Sequence, residues 1–498
     1  MSFNMRNKQI PLSRLVEAVG GSPTFEMDGI SVQRLVADSR GIGPGDLFFA
    51  LSGEQLDGHR FVPDALDSGA VAAVVERAND PAARLIVVPD TRLALAEMAK
   101  EFYGRPDESL LLAGVTGTNG KTTVSHIVKS IAKANATPFG VIGTLGYLIG
   151  EEYRKLSFTT PDPVVLFSVL ADMRDSNLIG AAMEVSSHGI AQRRSWGVAY
   201  NVVAFTNLTQ DHLDYHGDME SYFQTKATLF KTIESAVPSV INIDDPYGRR
   251  LQELTASERV ITYGTQGEFQ PDISFSGVRC DVSCVDFEIL TPEGKANIHL
   301  SVSGRFNVHN SLCAAGIAFA LGWPLSSVVE GLESFTGVKG RFERIKGSHP
   351  FTVYIDYSHT PDALAHAIAA CREIAKGRVI TVFGAGGDRD RDKRSKMGNV
   401  VSELSDIIVL TSDNPRTEDP ESIIDQIEKG VAESAEKYRI SNRRDAIRFA
   451  LGLANDGDVV LIAGKGHEDY QIIGTTRHHF DDSEVVRSWL EEQGYDNE

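Results

Sequence analysis

Apolar residues recur along the chain in short runs, separated by turns and by stretches with helical spacing, which is the pattern of alternating strands and helices. In the first hundred or so residues the runs are Asp46-Leu47-Phe48-Phe49-Ala50-Leu51, Val71-Ala72-Ala73-Val74-Val75 and Leu85-Ile86-Val87-Val88, and they predict a small α/β domain. A second series starts at Leu110-Leu111-Leu112-Ala113 and continues over 179–185, 202–205 and 239–243, fitting a mostly parallel sheet wrapped by helices. Beyond the glycine-rich break Gly337-Val338-Lys339-Gly340-Arg341, strand-like runs at 352–356, 378–384, 406–410 and 458–464 alternate again with helical stretches. The expected fold is therefore α/β in three domains: a smaller N-terminal one over 1–108, a central one over 109–338 and a Rossmann-like C-terminal one over 339–498. A chain of 498 residues is too long for one hydrophobic core, which agrees with that division.

The most specific segment is Gly114-Val115-Thr116-Gly117-Thr118-Asn119-Gly120-Lys121-Thr122-Thr123, between an apolar run and a helical stretch carrying Val124, Ile127, Val128 and Ile131. It reads as a phosphate-binding loop, so the central sheet is of P-loop type. Glycines let backbone N–H groups face one anion, Lys121 can reach the terminal phosphates of ATP, and the Thr122 hydroxyl can hold magnesium. The common Walker spacing would need glycine where Val115 stands, so the loop belongs to a variant group.

Charge narrows the function class. The formal net charge is -19, against a sequence-independent nucleic-acid surface. No window holds 18 consecutive apolar residues, and Met1-Ser2-Phe3-Asn4-Met5-Arg6-Asn7-Lys8 lacks a signal-peptide core, so a cytoplasmic chain without membrane insertion is expected. Cys280, Cys284, Cys313 and Cys371 form no CxxC pair and read as free thiols.

Four segments follow the loop: Thr159-Thr160-Pro161-Asp162, Glu184-Val185-Ser186-Ser187-His188-Gly189, Asn207-Leu208-Thr209-Gln210-Asp211-His212-Leu213-Asp214, and 222–230 with Lys226. Glu184 ends a strand candidate, where its carboxylate could complete a magnesium shell shared with Thr122 and ATP. His212 could hold a second magnesium; a solvent-facing histidine between two aspartates is the plainer alternative from the residues alone.

With the later segments Gly304-Arg305-Phe306-Asn307-Val308-His309-Asn310, Gly340-Arg341-Phe342-Glu343, Asp356-Tyr357-Ser358-His359-Thr360-Pro361-Asp362 and Gly464-Lys465-Gly466-His467-Glu468, the arrangement resembles the Mur ligases. These ATP-dependent enzymes add amino acids stepwise to a UDP-linked muramoyl peptide during peptidoglycan synthesis. The resemblance covers nearly the whole chain and implies a UDP-binding first domain, a central ATPase domain and an amino-acid-binding third domain. It implies ATP contacts at Gly117, Thr118, Asn119, Gly120, Lys121, Thr122 and Thr123, with Asn307 and Asn310 near adenine and Asp356 and His359 near ribose. It gives Lys226 a carbamate, an anion that helps bind the second magnesium, so the metal set becomes Thr122, Glu184, His212 and Lys226, and the catalytic set Lys121, Lys226 and His212.

The reaction so implied is amide formation through an acyl phosphate. Ser39, within Asp38-Ser39-Arg40, and the stretch 53–58 resemble the uridine-binding segments of the subgroup that adds the third residue. Thr159, Thr160, Ser186, Gln192 and Arg194 match positions that hold the muramoyl dipeptide, and Arg194 would meet a carboxylate of D-glutamate. Phe158 departs from the polar residue some members carry there. Asp413-Asn414-Pro415-Arg416 resembles the form that selects meso-diaminopimelate over L-lysine, because Arg416 can bind the second carboxylate bidentately. Arg389 is a second clamp candidate, with Gly464 and Glu468 placed for the distal amine. The expected partners are UDP-MurNAc-L-Ala-D-Glu and meso-diaminopimelate, acting on a monomer that binds no nucleic acid. L-lysine as the amine, and an ATP-driven switch, are the alternatives; folylpolyglutamate synthase and the ligase adding D-Ala-D-Ala are disfavoured by the tetrad.

Overall fold

The computed structural model describes residues 9–53, 56–78, 80 and 82–496. Glu54 and Gln55 of the predicted uridine-binding stretch, and the segment Met1–Lys8, lie outside the described residues. The chain forms two compact units, one from Met1–Gly114 and Thr137–Asn201, the other from Val115–Ala136 and Val202–Glu498.

In the first unit a five-stranded sheet runs in the order Ser22–Pro23, Leu85–Val87, Ala72–Val75, Asp46–Phe49, Arg34–Val36. Its last four strands are parallel, and the first pairs antiparallel. Ala72–Val75 is buried throughout, as expected of a parallel strand covered on both faces, and Phe48, Ala65, Ala73 and Leu85 share one core. The same unit carries the strands Glu152–Arg154, Gly146–Ile149, Phe139–Gly143 and Gly180–Glu184; the first two pairings are antiparallel and the last is parallel.

In the second unit the helix Lys121–Ala134 follows the loop and buries Val124, Ile127, Val128 and Ile131, the face its spacing predicts. It packs against the helices Phe306–Ala320 and Leu325–Glu333. Val202–Phe205, Ser239–Asn242 and Val260–Tyr263 lie side by side and parallel. A three-stranded antiparallel sheet, Ser274–Cys280, Val285–Thr291 and Gly294–Leu300, was not predicted. Only one of its faces is covered: Val285, Phe287 and Ile289 point inward while Asp286 and Glu288 alternate with them, so no continuous apolar run marks it.

The C-terminal part of this unit is a six-stranded sheet ordered Glu343–Ile345, Thr352–Asp356, Val459–Ala463, Val379–Phe383, Ile407–Leu410, Glu436–Arg439. All its pairings are parallel except the first. Its four middle strands fall on the four predicted runs. Helices cover both faces, with Leu364, Ile368 and Ile424 in one core and Ile447, Leu451 and Val486 in the other. The α/β expectation holds in each part of the chain. No helix among the described residues is long and apolar enough to cross a membrane. The four cysteines are free, Cys313 and Cys371 buried.

Candidate active site

The phosphate loop is built by close backbone packing. Gly117 has φ +148°, and a Cβ there would come within 1.9 Å of Thr206 Oγ1; at Gly120, φ +85°, it would lie 2.5 Å from Asn310 Oδ1. Only glycine allows both the conformation and the approach. The loop is held from one side: Thr118 N donates to Asn207 O (2.8 Å), Asn119 N to Asn207 Oδ1 (2.9 Å), and Thr206 Oγ1 to Asn119 O (2.6 Å). Asn310, predicted near adenine, donates to Asn307 Oδ1 at 2.9 Å and so backs the loop as well. Thr122 and Thr123 sit in the first turn of the following helix, whose N-terminal end favours anions.

Two lysines face the loop. Lys121 Nζ donates to Gly117 O and Thr118 O, both at 2.9 Å, and Lys226 Nζ donates to Gly117 O at 2.9 Å. Lys226 lies on the helix Met219–Lys231, is 2% exposed, and has no ion-pair partner among the described residues. Burial, followed by the charge of Lys121, drives its pKa well below the ordinary lysine value, with Asp211 opposing.

Asp211, which no sequence signal singled out from its neighbours, is the acidic centre beside it. His212 Nε2 is 3.3 Å from Asp211 Oδ2, His359 Nε2 is 3.8 Å from the same atom, and Lys393 Nζ is 4.0 Å from Asp211 Oδ1. Burial opposes its ionisation, but His212, His359 and Lys393 outweigh that and hold Asp211 low. His359 is itself pushed down, by burial first and then by Lys393. His212 has φ +54° and a half-buried side chain. Asp356 is engaged by backbone: it accepts from Phe342 N (2.6 Å) and Ser358 N (2.9 Å).

Arg341 belongs to the segment Gly340-Arg341-Phe342-Glu343, which by itself assigns it no role. Its Nη2 donates to Thr122 Oγ1 at 3.0 Å, and its guanidinium stacks 4.5 Å from the Tyr357 ring centroid. The hydroxyl expected to meet magnesium is thus also within reach of a fixed cation.

In the first unit, Glu184 ends its strand buried, 1% exposed, and accepts from Thr144 N (2.9 Å) and Thr144 Oγ1 (3.0 Å). It has no ion-pair partner among the described residues. Thr159 Oγ1 lies 3.2 Å from Thr144 Oγ1, and Thr160 Oγ1 lies 3.1 Å from Ser186 Oγ. Arg194 donates to Thr160 O (3.0 Å) and Gln192 Oε1 (2.7 Å) and stacks 4.1 Å from the centroid of Phe158. Thr160, Ser186, Gln192 and Arg194 are therefore joined to one another, while Thr159 turns to Thr144. Ser39 opens the short 3-10 turn Ser39–Gly41 elsewhere in this unit.

The tetrad Asp413-Asn414-Pro415-Arg416 follows the strand Ile407–Leu410 in the second unit, at the C-terminal edge of the parallel sheet. Asn414 Nδ2 donates to Glu468 Oε2 at 2.8 Å, and Ile472 N to Asn414 Oδ1 at 2.9 Å. Arg416 has φ +52° and donates to Gly387 O at 2.7 Å. A Cβ on Gly386 would lie 3.0 Å from Arg416 Nη1 and 3.8 Å from Arg389 Cγ, so the two predicted clamps flank that glycine. The hairpin Tyr470–Ile473 and Thr476–His479, exposed or half-buried along its length and not among the predicted strands, fastens the tetrad through Arg416 N to Ile472 O (3.1 Å) and Gly474 N to Arg416 O (2.8 Å). Burial and Asp413 push Glu468 up, while Lys465 and Asn414 pull it back.

Three family models match the chain: "Mur ligase family, catalytic domain" over residues 31–103, "Mur ligase middle domain" over 115–318, and "Mur ligase, glutamate ligase domain" over 340–466. The UDP-N-acetylmuramoyl-L-alanyl-D-glutamate--2,6-diaminopimelate ligase of Gloeobacter violaceus is 44% identical, covering 97% of this chain and 99% of its own. The enzyme of that name from Geobacter metallireducens is 42% identical over 95% and 96%. A solved structure of a ligase bearing the same name superposes with a TM-score of 0.70 at 32% identity, covering 97% of this chain and 99% of the other. The variant phosphate loop and the segments that pack around it have their explanation in this kinship: the chain belongs to the Mur ligase family.

Proposed function

We propose that this protein is the ATP-dependent ligase that joins meso-2,6-diaminopimelate to the D-glutamate side-chain carboxylate of UDP-MurNAc-L-Ala-D-Glu, in cytoplasmic peptidoglycan precursor synthesis. The observation that carries the reading is the pocket around the tetrad. Arg416 and Arg389 flank Gly386, and Asp413 and Glu468 supply carboxylates. A terminus bearing both a carboxylate and an ammonium needs both kinds of group. The names of the relatives support the same amine.

In this reading Gly117, Thr118, Asn119, Gly120, Lys121, Thr122 and Thr123 cradle the ATP phosphates, Asn307 and Asn310 lie by adenine, and Asp356 and His359 by ribose. The loop amides and Lys121 neutralise the approach of two anions, the substrate carboxylate and the γ-phosphate. The carboxylate oxygen attacks phosphorus and ADP leaves; the amine then attacks the acyl carbon and phosphate leaves, with loss of a proton. Ser39 takes the uridine part, and Thr159, Thr160, Ser186, Gln192 and Arg194 hold the dipeptide.

Each donor suits magnesium by its chemistry: Glu184 is a buried carboxylate with no basic partner among the described residues, and Thr122 offers a hydroxyl at a helix start. His212 and a carbamylated Lys226 complete the proposed set; bound there, magnesium would neutralise phosphate oxygens. The lowered pKa eases loss of the Lys226 proton, and the unprotonated amine can add to carbon dioxide with release of a further proton, turning the buried side chain into an anion. We assign the three-domain division at 1–108, 109–338 and 339–498 to uridine, ATP and amino-acid binding, in a monomer.

The test is ATP turnover with each substrate withheld in turn. Phosphate release should require UDP-MurNAc-L-Ala-D-Glu and meso-diaminopimelate together. Equal release from ATP alone would favour a switch protein instead.

A further inference from the structure

Lys465 is 0% exposed, an extreme position for a lysine, and nothing in the reaction above uses it. Its Nζ lies 3.1 Å from Glu468 Oε2, 3.3 Å from Asn414 Oδ1 and 3.6 Å from Asp413 Oδ1. Asp413 Oδ1 is buried and has no hydrogen-bond partner among the described residues, so one acceptor beside this ammonium is open to a donor from elsewhere.

We infer that Lys465 is a specificity-determining residue: its buried charge makes the amine pocket electrically neutral as a whole, and so matched to a distal end that carries one ammonium and one carboxylate. The inference rests on the reading of the tetrad as the amine site. Asp413 and Glu468 contribute two negative charges; Lys465 and Arg416 contribute two positive ones. The other groups facing the pocket add no net charge: Arg389 is exposed and stands beside the equally exposed carboxylate of Asp388, which offsets it. Arg443 is paired with Asp482 at 2.8 and 2.7 Å, both fully buried. Burial keeps the phenols of Tyr357 and Tyr470 protonated, and burial with the charge of Arg341 keeps His467 neutral. Arg477 stacks on Tyr470 at 4.3 Å and is exposed, where water screens it.

A neutral pocket discriminates by arrangement rather than by total charge. The distal end of meso-diaminopimelate sums to zero, whereas that of L-lysine is a bare ammonium that would leave Arg416 unmatched and add an unbalanced charge. Without Lys465 the pocket would carry one net negative charge, which suits the bare ammonium better. Lys465 also bridges Asn414, whose amide holds Glu468, so one side chain fixes both the charge and the spacing of the two carboxylates.

The experiment is the ratio of kcat/KM for meso-diaminopimelate to that for L-lysine in wild type, Lys465→Met, Glu468→Gln and the double variant, in the full-length protein with ATP and UDP-MurNAc-L-Ala-D-Glu. Lys465→Met should lower the ratio about tenfold or more, and Glu468→Gln should raise it, each by one unit of uncompensated charge. The double variant, neutral again, should return the ratio toward the wild-type value although its absolute activity is low. A merely structural lysine would lower both activities together and leave the ratio unmoved, which overturns the inference. Should Lys465→Met fail to fold, Glu468→Gln and the double variant still decide it. Wild type turning over neither amine would overturn the ligase reading and this inference with it.

Discussion

Lys121 and Lys226 donate to the same acceptor, the carbonyl oxygen of Gly117, each at 2.9 Å. One lysine comes from the helix after the loop, the other from the helix Met219–Lys231, and only Lys226 is sealed from water. Two ammonium groups at one carbonyl repel, and the buried one yields its proton more readily. This is the state in which Lys226 can take up carbon dioxide. Lys226→Ala should lose at least about tenfold in kcat and regain part of it when short-chain carboxylic acids are added, because such an acid can stand in for the missing carbamate. Steady-state rates with and without acetate check this; equal rates across a series of acids would remove the carbamate from the account.

Gly117→Ala should weaken nucleotide binding while leaving a folded chain. The new methyl group would meet Thr206 Oγ1 at 1.9 Å in a conformation alanine resists, so the loop must open. Titration with a fluorescent ATP analogue should show affinity down about tenfold or more. Unchanged affinity would mean the loop is not the phosphate site.

Arg416→Ala should reduce kcat/KM for meso-diaminopimelate by about two orders of magnitude, the loss of a bidentate charged pair, with a much smaller effect on any residual L-lysine turnover. Equal losses for both amines would point to a fold defect at the Gly387 contact rather than to lost carboxylate recognition.

His467 supplies a pH signature. Burial first, then the charges of Arg341 and Lys339, lower its pKa from 6.5 to about 3. Between those values the unfolded chain binds a proton that the folded chain does not, so stability rises with pH through the window and is lost as pH falls. His467→Gln should unfold with a shallower loss of Tm between about pH 6.5 and 3.5 than wild type. Parallel Tm profiles for the two proteins would contradict the assignment.

Arg443→Ala should cost about 3–5 kcal/mol, since it strands Asp482 in the core of the C-terminal sheet without a counter-charge. Denaturant unfolding measures it. Asp482→Asn should be milder, because the amide keeps one acceptor for the guanidinium. A loss below about 1 kcal/mol in Arg443→Ala would show that water reaches the pair.

The parts legible in the sequence are those written in local pattern. The four middle strands of the C-terminal sheet are continuous apolar runs because both faces are buried, and Gly117 and Gly120 announce a loop because no other residue tolerates its packing. Thr159, Thr160, Ser186, Gln192 and Arg194 were found through resemblance, and the last four meet through Thr160 and Arg194, residues 34 positions apart. What stayed hidden depends on tertiary approach. Edge strands such as Glu436–Arg439 carry polar side chains and give no period to read. Asp211 is one of two aspartates flanking His212, and only its burial distinguishes it. Arg341 reaches Thr122 across 219 positions, a contact no local pattern encodes. Lys465 reads as a surface lysine between glycines until its enclosure is seen.

The central claim is addition of diaminopimelate to the D-glutamate carboxylate. The most direct measurement supplies ATP, magnesium and UDP-MurNAc-L-Ala-D-Glu with an equimolar mixture of meso-diaminopimelate and L-lysine, and resolves the products by mass spectrometry. The expected outcome is a tripeptide product carrying diaminopimelate, formed with stoichiometric ADP and phosphate, and little or no lysine product. A product carrying mainly lysine would contradict the role of Arg416, and ADP formed with no peptide product would contradict the ligase itself.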